Sequence, residues 1–356
     1  LETAGKDENS CERSTPCLHL TTVLGSGDAE NPVAQEYTIN IGEGSFDGEE
    51  KSLFVTGKLT LTGRNYEKTK FTLRDAIVIG DIEVDEEETR SKRFTRRSRN
   101  QEDDGEESGA LLQARGSESK ITVSKIQFIS NCGGLVDSYL GTISISSCLF
   151  VPSSKTTKTN VALIAANSGT LTMSNVHMRD LTLTEQSAVN VDDATTSIED
   201  CTFGGLIYDS DYAEGAAFWM EFDNTKTKLV LKNDIFSNCK CVGTDSTGGA
   251  VSLKFDADEV SQLSSVLTCT NVAFQGCGEA ATGYYVYVWS SVGDSIGKQI
   301  AQALACGLQY PKESFVYEYK DANEDTVPTD LFPTGSGNKP ACVDNPAVPP
   351  AKQDGD

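Results

Sequence analysis

Histidine, tryptophan and methionine are scarce in this chain of 356 residues, with two, two and three copies. The two histidines are His19 and His177. A zinc site is therefore not expected, because protein zinc sites are built from clustered histidine and cysteine. No run of about 18 apolar residues occurs either, so we expect no segment that inserts into a membrane. We expect no cofactor, with one possible calcium site considered below.

Positive charge is also in short supply. Lys and Arg number 30 against 53 Asp and Glu, which leaves a formal net charge of −23 at neutral pH. Such a chain offers no counter-charge to phosphate backbones or anionic lipids, so we expect neither nucleic acids nor membranes as partners. The chain opens on Leu1 rather than on methionine, and we expect a processed or trimmed fragment.

One short line recurs six times. Its first and third positions are mostly aliphatic, its fourth and fifth mostly polar, and its eighth is Phe or Met. The copies are ITVSKIQF from Ile121, ISISSCLF from Ile143, LTMSNVHM from Leu171, TSIEDCTF from Thr196, LVLKNDIF from Leu229 and LTCTNVAF from Leu267. A repeat of this length is typical of a solenoid, in which stacked copies supply one another's core. We predict one buried column formed by Phe128, Phe150, Met178, Phe203, Phe236 and Phe274.

A second line precedes these copies and alternates strictly. GAAFWMEFD from Gly215 matches GGAVSLKFD from Gly248, and TGYYVYVW from Thr282 follows at a similar step. Alternation predicts strands, with Phe218, Val251 and Tyr284 pointing inward together. Two or more strands in each coil predict an all-β, right-handed, single-stranded parallel β-helix.

The ends and one insertion depart from the repeat. Residues 1–35 are predicted to cap the first coil, residues 36–292 to form the β-helix, and residues 293–356 to supply a cap helix over 294–307, a last strand and a disordered tail. Residues 81–109 form a charged insertion with too few apolar side chains to order itself. Three interpretations stay open for it: a solvated loop, a furin-like processing site, or nuclear localisation. Its basic clusters contain Arg90, Arg93, Arg97 and Arg99.

Eleven cysteines in an acidic chain favour a secreted or cell-surface protein. Cys239 and Cys277 follow the Phe of consecutive copies by the same step, so we predict a disulfide between them. Two further pairs rest on proximity or terminal placement only: Cys11 with Cys17, and Cys306 with Cys342. Cys148 and Cys201 lie two coils apart, so we expect them to be inert core residues.

Acidic side chains are the candidates for chemistry. Asp192 and Asp193 are the nearest approach to a catalytic carboxylate pair. Asp209, Asp211 and Glu214 are candidate calcium ligands. In a chain this acidic, such neighbours also arise by chance.

The outward side of the second line carries Trp219, Tyr285, Tyr287 and Trp289. Tyrosine and tryptophan anchor protein interfaces, and their flat rings also stack on sugars. The row is therefore either a binding surface, for a protein partner, a second copy or a glycan, or a surface covered by the C-terminal segment.

The motifs resemble known families. The segment from Tyr37 through Phe46 to Gly63 is similar to the opening coils of pectin-lyase-like β-helices. Gly248-Gly249-Ala250-Val251, and Phe128 with Asn131, resemble the Gly-Gly-Ala-aliphatic and Phe-x-x-Asn repeats of polymorphic membrane proteins, a family of β-helical adhesins. This resemblance implies a surface-exposed passenger that binds proteins of a host or a neighbouring cell. The motifs could equally serve only to shape corners.

We therefore expect a non-catalytic adhesion or structural interaction module. The alternative is a carbohydrate-active β-helix, either a polysaccharide lyase, a glycoside hydrolase or a glycan-binding protein.

Overall fold

A computed structural model of the chain describes residues 19–24, 32–47, 52–74, 76–77, 108–222, 227–255, 267–278, 286–290, 308–309, 315–320 and 326–329. The predicted cap helix over 294–307, Arg90, Arg93, Arg97, Arg99, Tyr285 and the cysteines 11, 17, 306 and 342 lie outside the described residues.

The described chain consists of one short helix and many short strands. The helix α1 is Leu20–Leu24, and its residues Leu20 and Leu24 are buried against the first coils. The strands are β1 Glu36–Ile41, β2 Gly44–Asp47, β3 Leu53–Val55, β4 Lys58–Gly63, β5 Thr69–Arg74, β6 Ala76–Ile77, β7 Ser108–Arg115, β8 Lys120–Ser124, β9 Gln127–Asn131, β10 Gly134–Tyr139, β11 Thr142–Ser146, β12 Leu149–Pro152, β13 Lys158–Thr159, β14 Ile164–Asn167, β15 Thr170–Ser174, β16 His177–Arg179, β17 Thr182–Leu183, β18 Val189–Asp192, β19 Thr195–Glu199, β20 Thr202–Gly204, β21 Ile207–Asp209, β22 Phe218–Phe222, β23 Leu229–Lys232, β24 Ile235–Ser237, β25 Lys240–Val242, β26 Val251–Phe255, β27 Leu267–Thr270, β28 Val272–Gln275, β29 Val286–Ser290, β30 Leu308–Gln309, β31 Phe315–Lys320 and β32 Thr326–Thr329.

These strands stack into four sheets that run along a common axis. Sheet I has the order β1-β4-β8-β11-β15-β19-β23-β27, and sheet III the order β2-β5-β9-β12-β16-β20-β24-β28-β30. Sheet II has the order β3-β7-β10-β14-β18-β22-β26-β29-β31-β32, and the short sheet IV the order β13-β17-β21-β25. Each coil passes through sheets I, III and II in turn, with sheet IV added at the corner between III and II. The chain is therefore a right-handed parallel β-helix, as the repeat predicted.

The predicted aromatic column is confirmed in sheet III. Pairing places Phe128, Phe150, Met178 and the following aromatic rings in one continuous column. Every member is at most 5% exposed. The rings of Phe203 and Phe236 stack at 4.8 Å between centroids. The repeat's eighth position therefore builds the core, because one large side chain per coil fills the interior without gaps.

The inward column predicted for sheet II is correct at two of its three members. Phe218 pairs with Val251 as expected, but Val251 pairs with Val286 rather than with Tyr284. The prediction was wrong by two residues, because segment 256–285 is longer than its counterpart in the preceding coil. Because side chains alternate along a strand, a shift of two residues leaves each side chain of β29 on the face that was predicted for it. Tyr287 consequently stands in the row of Trp219 and Ser252.

The corner between sheets I and III carries a ladder of polar side chains. Asn175, Asn233 and Asn271 all have positive φ, at 52°, 56° and 54°. Asn271 Nδ2 donates to Asn233 Oδ1 at 3.0 Å, and Asn233 Nδ2 donates to Asp200 Oδ1 at 3.0 Å. Asparagine tolerates this left-handed backbone better than most residues, and its amide both donates and accepts. The ladder therefore joins successive corners.

The charged insertion leaves the body through a paired neck. Strand β6 is antiparallel to the start of β7, with Ala76 opposite Gly109 and Ile77 opposite Ser108. Pairing thus holds residues 76–77 and 108–109 side by side, on either side of residues 78–107.

Cys239 and Cys277 occupy equivalent positions on consecutive coils, but the predicted disulfide is absent, since both are free thiols. Cys239 Sγ donates to Phe203 O at 3.4 Å, and Cys277 Sγ donates to Phe236 O at 3.5 Å. The two thiols are also in hydrogen-bonding contact with each other, but their sulfurs are not at bonding distance. Burial also raises the pKa of the Cys239 thiol well above its ordinary value.

Candidate functional site

The aromatic row of sheet II is covered rather than exposed. Trp219 and Tyr287 are each only 8% exposed to solvent. Trp219 Nε1 donates to Glu214 Oε2 at 2.8 Å. The sequence left open whether this row is a binding surface or a covered surface, and these two residues are covered, although both point away from the core. Trp289 lies on β29 opposite Lys254, one row further along the strand.

Glycine loops lie over two members of this row, Tyr287 and Ser252. Gly215 and Gly248 have φ of 61° and 60° and sit at equivalent positions before β22 and β26. A Cβ on Gly248 would lie 2.9 Å from Tyr287 Cβ and 2.5 Å from Val251 O. A Cβ on Gly215 would lie 2.5 Å from the backbone nitrogen of Ser252. Each loop therefore lies against the outward face of the next coil, and the first glycine of the Gly-Gly-Ala motif permits the close approach.

The Phe-x-x-Asn motif also has an architectural place. Phe128 is buried in the aromatic column, stacked on Phe150 at 5.0 Å. Asn131 is exposed, and its Oδ1 accepts a hydrogen bond from Ser153 Oγ of the next coil at 3.2 Å. Both repeat motifs thus contact neighbouring coils, which is the corner-shaping role that the sequence left open.

The carboxylates considered for catalysis are held by neighbouring side chains. Asn167 Nδ2 donates to Asp192 Oδ2 at 3.2 Å. Thr227 Oγ1 donates to Asp193 Oδ1. Lys254 Nζ pairs with Glu221 Oε1, the carboxylate next to Asp192 in the stack. These contacts give each acid a structural partner along the coil axis.

The predicted calcium ligands are not brought together. Asp209 Oδ2 pairs with Lys158 Nζ at 2.8 Å, and Glu214 accepts the Trp219 bond. In the part of the chain that the structure describes, no three Asp, Glu, His or Cys side chains are grouped so that they could hold a metal ion. The lysine supplies the positive charge that a cation would have supplied at Asp209.

One exposed site was missed by the sequence reasoning. Tyr212 is 75% exposed and Val242 is 40% exposed, and they lie on successive coils at the corner next to sheet IV. We call this surface the corner ledge; it comprises residues 209–212 on one coil and residues 242–245 on the next. Its signal in the sequence was a second tyrosine, four residues after Tyr208, at the end of the polar segment Asp-Ser-Asp-Tyr between two repeat copies.

The ledge is rigidly attached to the solenoid. Ser210 N donates to Val242 O at 3.1 Å, and Asp245 N donates to Asp211 O at 3.0 Å. A Cβ on Gly243 would lie 2.1 Å from Ser210 O, so the two loops are in direct backbone contact. Three exposed carboxylates, Asp209, Asp211 and Asp245, lie on the same two loops as Tyr212 and Val242, and Asp209 is the one paired with Lys158.

No protein-family model, curated protein or solved structure matches this chain. Among the described residues, no helix has the length and apolar content that a membrane crossing requires. The class of this protein is therefore assigned from its fold alone. The chain belongs to the class of right-handed parallel β-helices.

Proposed function

We propose that this protein is a non-catalytic adhesion or structural interaction module, secreted or displayed at a cell surface, and that the corner ledge contacts a protein partner. Tyr212 carries the proposal, because a tyrosine at 75% exposure is an uncovered interface anchor on a hydrogen-bonded loop. Among the described residues, Val242 is the other large apolar side chain that is exposed. No other described tyrosine or tryptophan offers a comparable anchor.

The ledge also indicates the chemistry of the partner. Asp211 and Asp245 place negative charge on the ledge beside Tyr212, whereas Asp209 is paired with Lys158, and the whole chain carries −23. A partner segment with arginine or lysine would meet complementary charge, and an arginine could stack on the tyrosine ring. A basic protein surface is therefore the proposed ligand.

The pectin-lyase-like assignment and the likeness to polymorphic membrane protein adhesins belong to this proposal. The Gly248-Gly249-Ala250-Val251 and Phe128/Asn131 motifs support them, together with the coil architecture that those motifs shape. In this interpretation the motifs build the solenoid and the exposed loops bind.

The test is binding of the fluorescently labelled full chain to cultured cells, measured by flow cytometry before and after the cells are shaved with trypsin. We expect Tyr212→Ala to reduce binding about tenfold, since a tyrosine that becomes buried against a partner contributes roughly 1–2 kcal/mol to the binding free energy. The matched control is Tyr66→Ala, a half-buried tyrosine in the turn between β4 and β5. Equal binding by both variants would refute the proposal that the corner ledge contacts the partner.

The carbohydrate-active alternative has its own assay. The chain is incubated with acidic and neutral polysaccharides, and reducing ends and unsaturated products are monitored. Product release that disappears in the Asp192→Ala/Asp193→Ala double variant would contradict the non-catalytic proposal. Binding that survives trypsin shaving but is lost after glycosidase treatment of the cells would replace the protein partner by a glycan.

A further inference from the structure

The outward face of sheet I is lined by hydroxyl groups. Strand pairing aligns Thr60, Thr122, Ser144, Thr172 and Ser197 in one row across β4, β8, β11, β15 and β19. Parallel rows flank it on both sides. We call the whole set the hydroxyl face; it comprises Thr60, Thr62, Thr122, Ser124, Thr142, Ser144, Ser146, Thr170, Thr172, Ser174, Thr195 and Ser197.

The hydroxyl face is uncharged on a strongly acidic protein. Charged side chains of sheet I stand at the ends of its strands: Lys58 and Lys120 begin β4 and β8, and Glu199 ends β19 and pairs with Lys232 of β23. Within the described chain, the hydroxyls of Ser144, Thr172 and Ser197 have no hydrogen-bond partner in the protein and are at least partly exposed. They are therefore available to an external partner.

A hydroxyl array is complementary to itself. Each hydroxyl both donates and accepts, whereas a carboxylate only accepts and an ammonium only donates. Two copies of this face also share one spacing, about 4.8 Å between strands, so that matching one pair of rows matches the others. The threonine methyl groups add apolar contact between the rows.

The net charge of the protein also favours contact between two copies through this face. Two copies that each carry −23 repel one another, so they can approach only through a surface without carboxylates. The hydroxyl face satisfies that condition. Beyond the ledge and independently of it, we propose that the hydroxyl face of sheet I is a self-association surface on which a second copy of this chain packs face to face.

The expected association is weak and reversible. Five strands at about 4.8 Å, each presenting about 17 Å of length, give roughly 400 Å² per copy. Stable dimers bury about 800 Å² per partner. Because repulsion between the rest of the surfaces opposes contact, association should strengthen when salt rises from about 0.1 M to about 1 M and the Debye length falls from about 10 Å to about 3 Å.

The test is sedimentation velocity of the full chain over a concentration series at both salt levels. The face variant is Ser144→Lys/Thr172→Lys, two neighbours at the centre of the array. Lysine is tolerated on this sheet, since Lys58, Lys120 and Lys232 already point outward from it. The matched control is Ser154→Lys/Thr156→Lys, which adds the same charge on exposed positions of the loop after β12.

We expect the wild type and the control to associate, more strongly at high salt, and the face variant to dissociate at least tenfold more readily. A second variant, Ser144→Glu/Thr172→Glu, gives a rescue: mixed with the lysine variant at low salt, it should form heterodimers more readily than either variant forms homodimers.

Equal behaviour of the face variant and the control, absence of the rescue, or a wild type that stays monomeric throughout would each overturn the proposal. If a monomeric wild type instead co-sediments with insoluble cellulose, and the face variant does not, the hydroxyl face binds an ordered glycan and the second copy is the wrong partner.

Discussion

Asp234 should make the stability of the solenoid fall as pH rises. This carboxyl is fully buried in an inward column, with Cys201 before it and Val272 after it in the stack. Its oxygens accept hydrogen bonds from Cys201 N at 2.8 Å and Lys232 N at 2.9 Å. Loss of hydration outweighs these two bonds and raises the pKa of Asp234 from 3.8 to about 8.

The direction follows from proton uptake. Between about pH 4 and pH 8 the folded protein keeps the Asp234 proton, whereas the unfolded chain has released it. The contribution of Asp234 is therefore most favourable below about pH 4, and it is lost as pH rises towards about 8. Each unit of difference is about 1.4 kcal/mol, so the full change over this range is about 5 kcal/mol.

The assay is urea unfolding of the wild type and of Asp234→Val between pH 5 and pH 8, since Val176 and Val272 occupy equivalent positions of the column. The variant loses two hydrogen bonds, which shifts its stability by a constant amount. Only the slope against pH matters. We expect the free energy of unfolding of the wild type to fall by about 1.4 kcal/mol per pH unit relative to the variant.

Parallel pH profiles would refute the reasoning. They would mean that two backbone N–H groups suffice to keep a fully buried carboxylate ionised. A second variant, Asp234→Cys, controls for the lost bonds, because Cys201 already accepts the Val176 N–H through its sulfur at 3.4 Å. It should match the slope of the valine variant rather than that of the wild type.

Three further outcomes are expected. Phe236→Ala should lower the free energy of unfolding by about 3–5 kcal/mol in urea titrations, because it leaves a cavity between two stacked rings. Gly248→Ala should cost about 2 kcal/mol or more through its positive φ and its clash with the next coil, whereas Gly249→Ala should be tolerated, as Ala216 holds the equivalent position. Limited trypsin digestion should nick first between Arg90 and Arg99 and leave two fragments that co-elute, because β6 and β7 close the neck; an intact chain after other sites are cut would argue against this.

The repeat alone determined the coil and its core. A large apolar side chain at the eighth position of every copy is removed from water only when it stacks on its equivalents in neighbouring coils. The buried column from Phe128 to Phe274 could therefore be predicted from the spacing of the repeat. The coil that contains Tyr287 was misplaced by two residues, because a long intervening segment leaves the register open until neighbouring strands pair.

Only the tertiary structure decided what is exposed and what is bonded. Alternation places Trp219 on the outer face of sheet II, but it does not reveal that the Gly215 and Gly248 loops lie over that face. Equivalent positions bring Cys239 next to Cys277, but each thiol also donates a hydrogen bond to a backbone carbonyl and both remain free. The hydroxyl face shows the same limit: serine and threonine are visible in every repeat, yet they become one surface only when pairing aligns them across β4 to β19. Periodicity in a sequence sets the direction of a side chain, whereas its surroundings depend on which coil folds against it.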